Sequence, residues 1–213
     1  MKLESVKEFY DGYLDKLKMV NNRHQWVFNA IDRFIPQNAK VLDIGCGAGH
    51  TSKHLAYGNR EVVAVDLSPK LIEYAKTHNS HFNSIRYFVG DIKDFETDEK
   101  FDAITMIDVL EHILPESYTP LFNKIYALSH EKTKIYLNIP TADILRFLQE
   151  NKPETRQIVD NPVDTKDVLR MFSDIGFIPI YYHLYWQHYV EYLFVTQKEY
   201  NRTFRKVFID GIS

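Results

Sequence analysis

The run Val41-Leu42-Asp43-Ile44-Gly45-Cys46-Gly47-Ala48-Gly49 constrains this chain more than any other stretch. A short apolar strand ends in an acid and passes into three glycines at alternate positions. Glycine takes left-handed backbone angles without strain and lets the main chain come within contact distance of a ligand. The loop therefore reads as a nucleotide or nucleoside cradle rather than a generic turn. The next apolar strand, Glu61 to Asp66, also closes on an acid. At about twenty residues past the first glycine, such a carboxylate is placed to accept hydrogen bonds from both hydroxyls of a ribose.

Around this core the chain alternates between helical and extended patterns, the signature of a parallel sheet covered on both faces. The spacing predicts helices over 6–17 and 23–35, the second with Trp26, Val27, Ala30, Ile31 and Phe34 on one face and Pro36 as its stop. Strand 41–44, helix 50–57 and strand 61–66 follow, then a helix opened by the cap and proline of Ser68-Pro69. Further strands are expected at 85–89, 101–108 and 134–139, with a helix over 116–129. A polar stretch over 151–165 is either a lid or a solvated connection. A helix over 166–175 and two strands near 177–184 and 189–196, close enough to pair as an antiparallel hairpin, complete the pattern.

With 213 residues, 45% of them hydrophobic, the chain can bury the core of one α/β unit, and no linker divides it. A net charge of −3 carries no footprint for nucleic acid. The N-terminus has no apolar leader and no run is long enough to span a bilayer, so a cytoplasmic protein is expected. Cys46, the one cysteine, has no disulfide partner and reads as a small residue in a crowded loop.

Two cofactor classes compete for the glycine loop. A dinucleotide fingerprint wants a sixth-position glycine, where this chain has His50, and Asp43 would sit badly beside a pyrophosphate. A sulfonium ligand that carries an amino group has the opposite need. Asp43 to Gly49 resembles the first motif of the class I S-adenosylmethionine-dependent methyltransferases, and the resemblance runs over roughly residues 38–140. It implies that Asp43, Gly45, Cys46, Gly47 and Gly49 cradle the cofactor. It further implies that Asp66 and the adjoining Leu67 meet the ribose, Asp91 and Ile92 the adenine, and Asp108 the methionine part. The family's Lys-Pro-Gly-Gly turn is replaced by Ser129-His130-Glu131-Lys132-Thr133-Lys134, away from the chemistry.

Methyl transfer from a sulfonium is an in-line displacement, and a hydroxyl nucleophile also has a proton to lose. His112, directly after the segment Asp108-Val109-Leu110-Glu111, is the candidate base and acceptor contact; the bland alternative is a histidine that only shapes the pocket. Glu111 is expected to cap or pair. His24 on the N-terminal helix, with Tyr10 and Tyr13 ahead of it, are candidate acceptor contacts. The aromatic segment Tyr181 to Tyr189 suits core, interface or acceptor alike. The basic and apolar tail from Lys198 to Ile209 suits a partner subunit or a membrane surface, and a homodimer is compatible with it.

The resemblance implies a Rossmann-like three-layer α/β sandwich: a seven-stranded, mostly parallel sheet with the last strand antiparallel, under an N-terminal helical cap. One domain is expected over 1–213, divided into a cap (1–36), a cofactor half (37–140) and an acceptor half with the tail (141–213). The expected activity is S-adenosylmethionine-dependent methylation of a small molecule, resembling the quinone-precursor and sugar branch, with oxygen favoured as nucleophile. The alternatives are N-methylation of an amine or amino sugar, an NAD-binding oxidoreductase, and a regulator that binds the cofactor without turnover. No metal is expected, since no acid set is arranged for magnesium.

Overall fold

Four strands carry nearly unbroken apolar runs, and strands of that kind belong in the middle of a sheet buried on both faces. A computed structural model, which describes residues 3–186 and 188–208, places them there. The strands are β1 (Lys40–Ile44), β2 (Glu61–Asp66), β3 (Ile85–Val89), β4 (Phe101–Ile107), β5 (Ser129–Pro140), β6 (Phe177–Tyr185) and β7 (Tyr189–Thr196). Among the described residues they form one seven-stranded sheet in the order β3-β2-β1-β4-β5-β7-β6. Pairing is parallel from β3 through β5, and β7 runs antiparallel to both β5 and β6.

Helices fill both faces. On one, α3 (Asn22–Phe34), α4 (His50–Tyr57) and α5 (Pro69–His78) lay Val27, Ile31, Leu55 and Ile72 over Val41, Val62 and Ala103. On the other, α6 (Tyr118–Leu128) and α8 (Thr165–Asp174) lay Leu121, Ile125, Val168 and Phe172 over Leu42, Ile104 and Ile135. The expected three-layer sandwich is the observed one. Ser68 caps α5, its hydroxyl accepting from Leu71 N with Pro69 in the first turn, as the dipeptide predicts.

Four expectations need correction. The single helix over 6–17 is two, α1 (Leu3–Asp11) and α2 (Leu14–Leu17), because Gly12 and Tyr13 close the end of α1 with turn hydrogen bonds. A helix absent from the sequence reading, α7 (Ala142–Asn151), follows β5; Thr141 caps it by accepting from Ile144 N. β5 begins at Ser129 rather than near 134, and its register against β4 shifts between Phe101 and Ala103. Thr133 Oγ1 donates to Phe101 O at that shift and holds the extra residues in the strand. The tail forms α9 (Gln197–Phe208), while Ile209, and Gln187 of the aromatic segment, lie outside the described residues.

Asp43 ties the layers together beneath the loop. Its carboxylate is 1% exposed and accepts from Ser52 Oγ on α4 at 2.6 Å and from Thr105 Oγ1 on β4 at 2.8 Å. Burial raises its pKa to about 6 even so, the two hydroxyl donors offsetting part of the desolvation. A folded-state pKa above the unfolded value means stability that is present at low pH and lost as pH rises toward 6. Wild-type stability relative to Asp43→Asn should therefore fall by about 2 kcal/mol between about pH 4.5 and 7, read from urea denaturation at each pH. A constant difference across that range would show that Asp43 does not titrate there.

Candidate active site

At the carboxyl ends of the parallel strands the loops splay around a cavity of about 970 Å³. Its floor is the glycine loop. Gly45 N and Cys46 N both donate to Val65 O, at 2.8 and 3.1 Å, which curls the loop over the end of β2. Gly47 has a positive φ of 53°, and a Cβ built there meets nothing within 4 Å: the residue faces open cavity. Gly49 does different work. A Cβ there would stand 2.8 Å from the Ala75 Cβ, so this glycine lets α4 pack against α5, and it is not on the cavity wall. The buried Cys46 packs into the core beside the loop, its thiol pKa pushed up by burial.

Asp66 sits where β2 ends. Its Oδ2 accepts from Gly47 N at 2.8 Å and its Oδ1 from Ser68 N at 2.9 Å, so one carboxylate braces both turns that frame the cavity. Burial raises its pKa, and these backbone donors work against the shift. Leu67 lines the wall beside it. Further along, Asp91 caps the turn over Ile92–Asp94 by accepting from Lys93 N, and pairs with Lys93 Nζ at 3.0 Å. Ile92 is buried in the core with one face on the cavity.

Asp108 has a positive φ of 53° and an ion-pair partner that the sequence reading missed. Arg23, from the first turn of α3, bonds Asp108 Oδ1 and also donates to Asn138 Oδ1 at 2.9 Å. Burial opposes the guanidinium charge most strongly, but Asp108 together with Tyr189 and Tyr185 more than offsets it. Tyr189 lies under the guanidinium, 4.1 Å from it, and Arg23 Nε is buried without a hydrogen-bond partner among the described residues. No local signal marks Arg23: its partners lie far along the chain, and only the folded sheet brings them to it.

His112 stands across the cavity on a short turn, Leu110–His112. Its Nδ1 donates to Val159 O at 2.7 Å, a bond that leaves Nε2 as the unprotonated nitrogen of the neutral ring. Gln157 Nε2 is 3.3 Å from that Nε2. Tyr10, on α1, meets the His112 ring edge-on at 6.0 Å. His24 lines the cavity but accepts a bond from Asn21 N at its Nδ1, as part of the cap of α3. Tyr13 does not reach the cavity wall; it stacks on Phe9 at 4.8 Å beside the helix break. The unread helix α7 supplies Ile144, Leu145 and Leu148, one apolar face of the outer wall.

The N-terminal elements close this arrangement from above. Asp11, at the end of α1, bonds Ser68 Oγ and accepts from Lys70 N at 3.3 Å, and His50 Nε2 bonds Leu17 O at 3.0 Å. The segment before α3 thus bridges from the β2–α5 turn to the start of α4. No helix among the described residues is long and apolar enough to cross a membrane.

With this geometry in place, comparison with known proteins is informative. Residues 41–131 match the family described as Methyltransferase domain. The ubiquinone biosynthesis O-methyltransferase of Xanthomonas axonopodis pv. citri is 36% identical over 84 residues, which is 38% of this chain and 35% of that protein. The matched stretch spans only about a third of the length of such curated relatives. Magnesium protoporphyrin IX methyltransferase from Synechocystis PCC 6803, solved with bound S-adenosylhomocysteine, superposes with a TM-score of 0.74 at 17% identity, over 92% of this chain and 100% of that one. A Burkholderia thailandensis 1,6-didemethyltoxoflavin-N1-methyltransferase superposes at 0.67 and 14% identity, over 92% and 91%. At such identities the superpositions speak for the fold alone, while the sequence match covers the loop, Asp66, Asp91 and the Asp108–His112 turn. Residues 41–131 are thus similar to the methyltransferase-domain family, and the fold around them is one that these solved methyltransferases share.

Proposed function

We propose that this protein transfers a methyl group from S-adenosylmethionine to a small-molecule acceptor, with oxygen as the favoured nucleophile. The observation that carries the reading is the open face of Gly47 beside the Asp66 carboxylate, at the end of the second parallel strand. A side chain at position 47 would project into the space that a nucleoside needs. Asp66 would hold the ribose hydroxyls, Asp91 and Ile92 the adenine, and Gly45 with Asp108 the methionine part. Arg23 suits the methionine carboxylate, because its buried Nε lacks a partner. When bound, the cofactor supplies a methyl carbon activated by a sulfonium. The chain's own work is to hold the acceptor in line, exclude water and take up a proton.

His112 would do the last: the bond from Nδ1 to Val159 O keeps Nε2 as the basic nitrogen, and an acceptor hydroxyl would take the place of the Gln157 amide that stands 3.3 Å from it. Amine methylation is the second reading. It draws on the acids Asp108 and Asp160, which suit an amine, Asp160 lying 3.5 Å from His112 Nδ1. The chain is read as one methyltransferase unit over 1–213 in which residues 1–36 cap the site, Arg23 bonding into it. A cytoplasmic setting and the absence of a nucleic-acid partner rest on the lone thiol and the net charge of −3.

Calorimetric titration with S-adenosylmethionine and with NAD tests the cofactor directly. Asp66→Ala should weaken S-adenosylmethionine binding by roughly 1.5–3 kcal/mol, the range of charge-assisted hydrogen bonds. Gly47→Val should bind none. Near-native affinity in either folded variant would remove the cradle assignment.

For the base, His112→Ala should keep cofactor affinity and lose about 10²–10⁴ in turnover on a hydroxyl acceptor. On an amine acceptor the loss should stay within about threefold, because a neutral amine attacks without a base. Turnover near wild type with a hydroxyl acceptor would leave His112 as a pocket residue.

A further inference from the structure

Glu111 is expected to cap or pair; its only ion-pair contact among the described residues is a long one to His112. Its carboxyl is 1% exposed and lines the cavity, yet neither oxygen has a hydrogen-bond partner among the described residues. The nearest basic group, His112 Nε2, stands 3.8 Å from Oε1, beyond hydrogen-bond reach. Opposite, on α1, the Tyr10 hydroxyl is likewise buried and without a partner.

Neither group points inward by loose chance. Asn161 N donates to Glu111 O at 2.8 Å, Asn161 Nδ2 to Ile113 O at 2.7 Å, and His112 Nδ1 to Val159 O at 2.7 Å. Three bonds on three successive residues pin the turn to the segment 159–161. Tyr10 belongs to the helix whose last residue, Asp11, is latched to Ser68. Leaving buried polar atoms unmade costs about 1–3 kcal/mol each, so proteins rarely keep them without a use.

We propose that Glu111 and Tyr10 anchor the polar end of a neutral, hydroxyl-bearing methyl acceptor, beside the nitrogen of His112. The proposal rests on the methyltransferase reading and names the acceptor class for it. Burial first, and then the charge of Asp108, pushes the Glu111 carboxyl well above the usual carboxylate range; its own backbone N–H and Arg23 oppose this and Asp160 adds to it. Tyr10 is held neutral by burial first, and then by the acids Glu111, Asp160 and Asp66 around it. The pair therefore presents two O–H donors and their lone pairs, the complement of a hydroxyl and a neighbouring oxygen. An anionic acceptor would face Asp66, Asp108 and Asp160, and a cation would require Glu111 to ionise in a buried site. The adjoining wall of Ile113, Ile144, Leu145, Leu148 and Val159 takes the acceptor's apolar body.

The test compares wild type with Glu111→Gln, Glu111→Met and Tyr10→Phe, using phenol as the neutral probe and benzylamine as the cationic one, on protein loaded with S-adenosylhomocysteine. Calorimetry should show phenol bound in preference to benzylamine. Glu111→Gln, which keeps a neutral donor, should hold phenol affinity within about threefold, while Glu111→Met and Tyr10→Phe should weaken it by about tenfold or more. Cofactor affinity should change by less than about threefold in all three. Without ligands, Glu111→Met should raise Tm by about 2–6 °C, because a buried acid without partners is replaced by an apolar side chain of similar size. A purely structural glutamate would lower Tm on that change. The infrared difference between wild type and Glu111→Gln at neutral pH should contain the carbonyl stretch of a protonated carboxylic acid. A preference for benzylamine, no binding of phenol, a fall in Tm for Glu111→Met, or no acid band would each overturn the proposal. Failure of S-adenosylmethionine to bind wild type would instead sink the methyltransferase reading, and the infrared and thermal readouts stand apart from it.

Discussion

Parallel strands end on the same side, so every acid placed after their last apolar residue arrives in one small volume. Here Asp43, Asp66, Asp108 and Glu111 all reach the cavity from that edge. Like charges at such distances, in low dielectric, cannot all remain ionised without donors. The chain answers each acid differently. Asp43 takes two hydroxyls, Asp66 two backbone amides, and Asp108 the guanidinium of Arg23, while Glu111 has no side-chain donor within hydrogen-bond distance among the described residues and is pushed by burial well above the usual carboxylate range. The donors for the first two are local to the sheet and its turns. The third must be imported from α3, and the fourth faces the cavity without one.

That importation explains the N-terminal cap. Arg23 is useful only if α3 lies across the carboxyl edge, and Asn138 and Tyr189, from β5 and β7, grip the guanidinium once it arrives. The sheet's antiparallel extension thereby serves the site: β7 pairs with β5 so that Tyr189 stands opposite Pro140, next to the same opening. The preceding helices then span from Ser68 to His50, above the loop they cover.

What was legible in the sequence is what local geometry decides. Glycines at alternate positions, an acid at a strand end and a Ser-Pro helix start each need only a few neighbouring residues, and β1, α4, β2 and α5 lie where those signals put them. The sequence separated badly where long-range packing takes over. The turn bonds at Gly12 and Tyr13 end α1 where Asp11 reaches Ser68 and Lys70 at the start of α5, partners far along the chain. β5 begins early because Thr133 finds the carbonyl of Phe101 across the sheet. α7 carried a cap at Thr141 and apolar residues at helical spacing, a signal masked by the polar residues around Arg146 and Gln149.

Within the glycine loop the same distinction separates roles that look alike in sequence. Gly47 and Gly49 both have positive φ, and nothing local tells them apart. The difference is what stands in front of the missing Cβ: open cavity at Gly47, and Ala75, Asn79 and Tyr87 at Gly49. One glycine leaves room for a ligand and the other for a helix, and only the tertiary arrangement of α4 against α5 assigns them. Glu111 and His112 follow the same rule. Adjacent in sequence, on one short turn, they differ in that Val159 supplies an acceptor to the imidazole while no side chain among the described residues comes within hydrogen-bond distance of the carboxyl, so the turn presents one oriented imidazole and one buried, unbonded carboxyl to the same space.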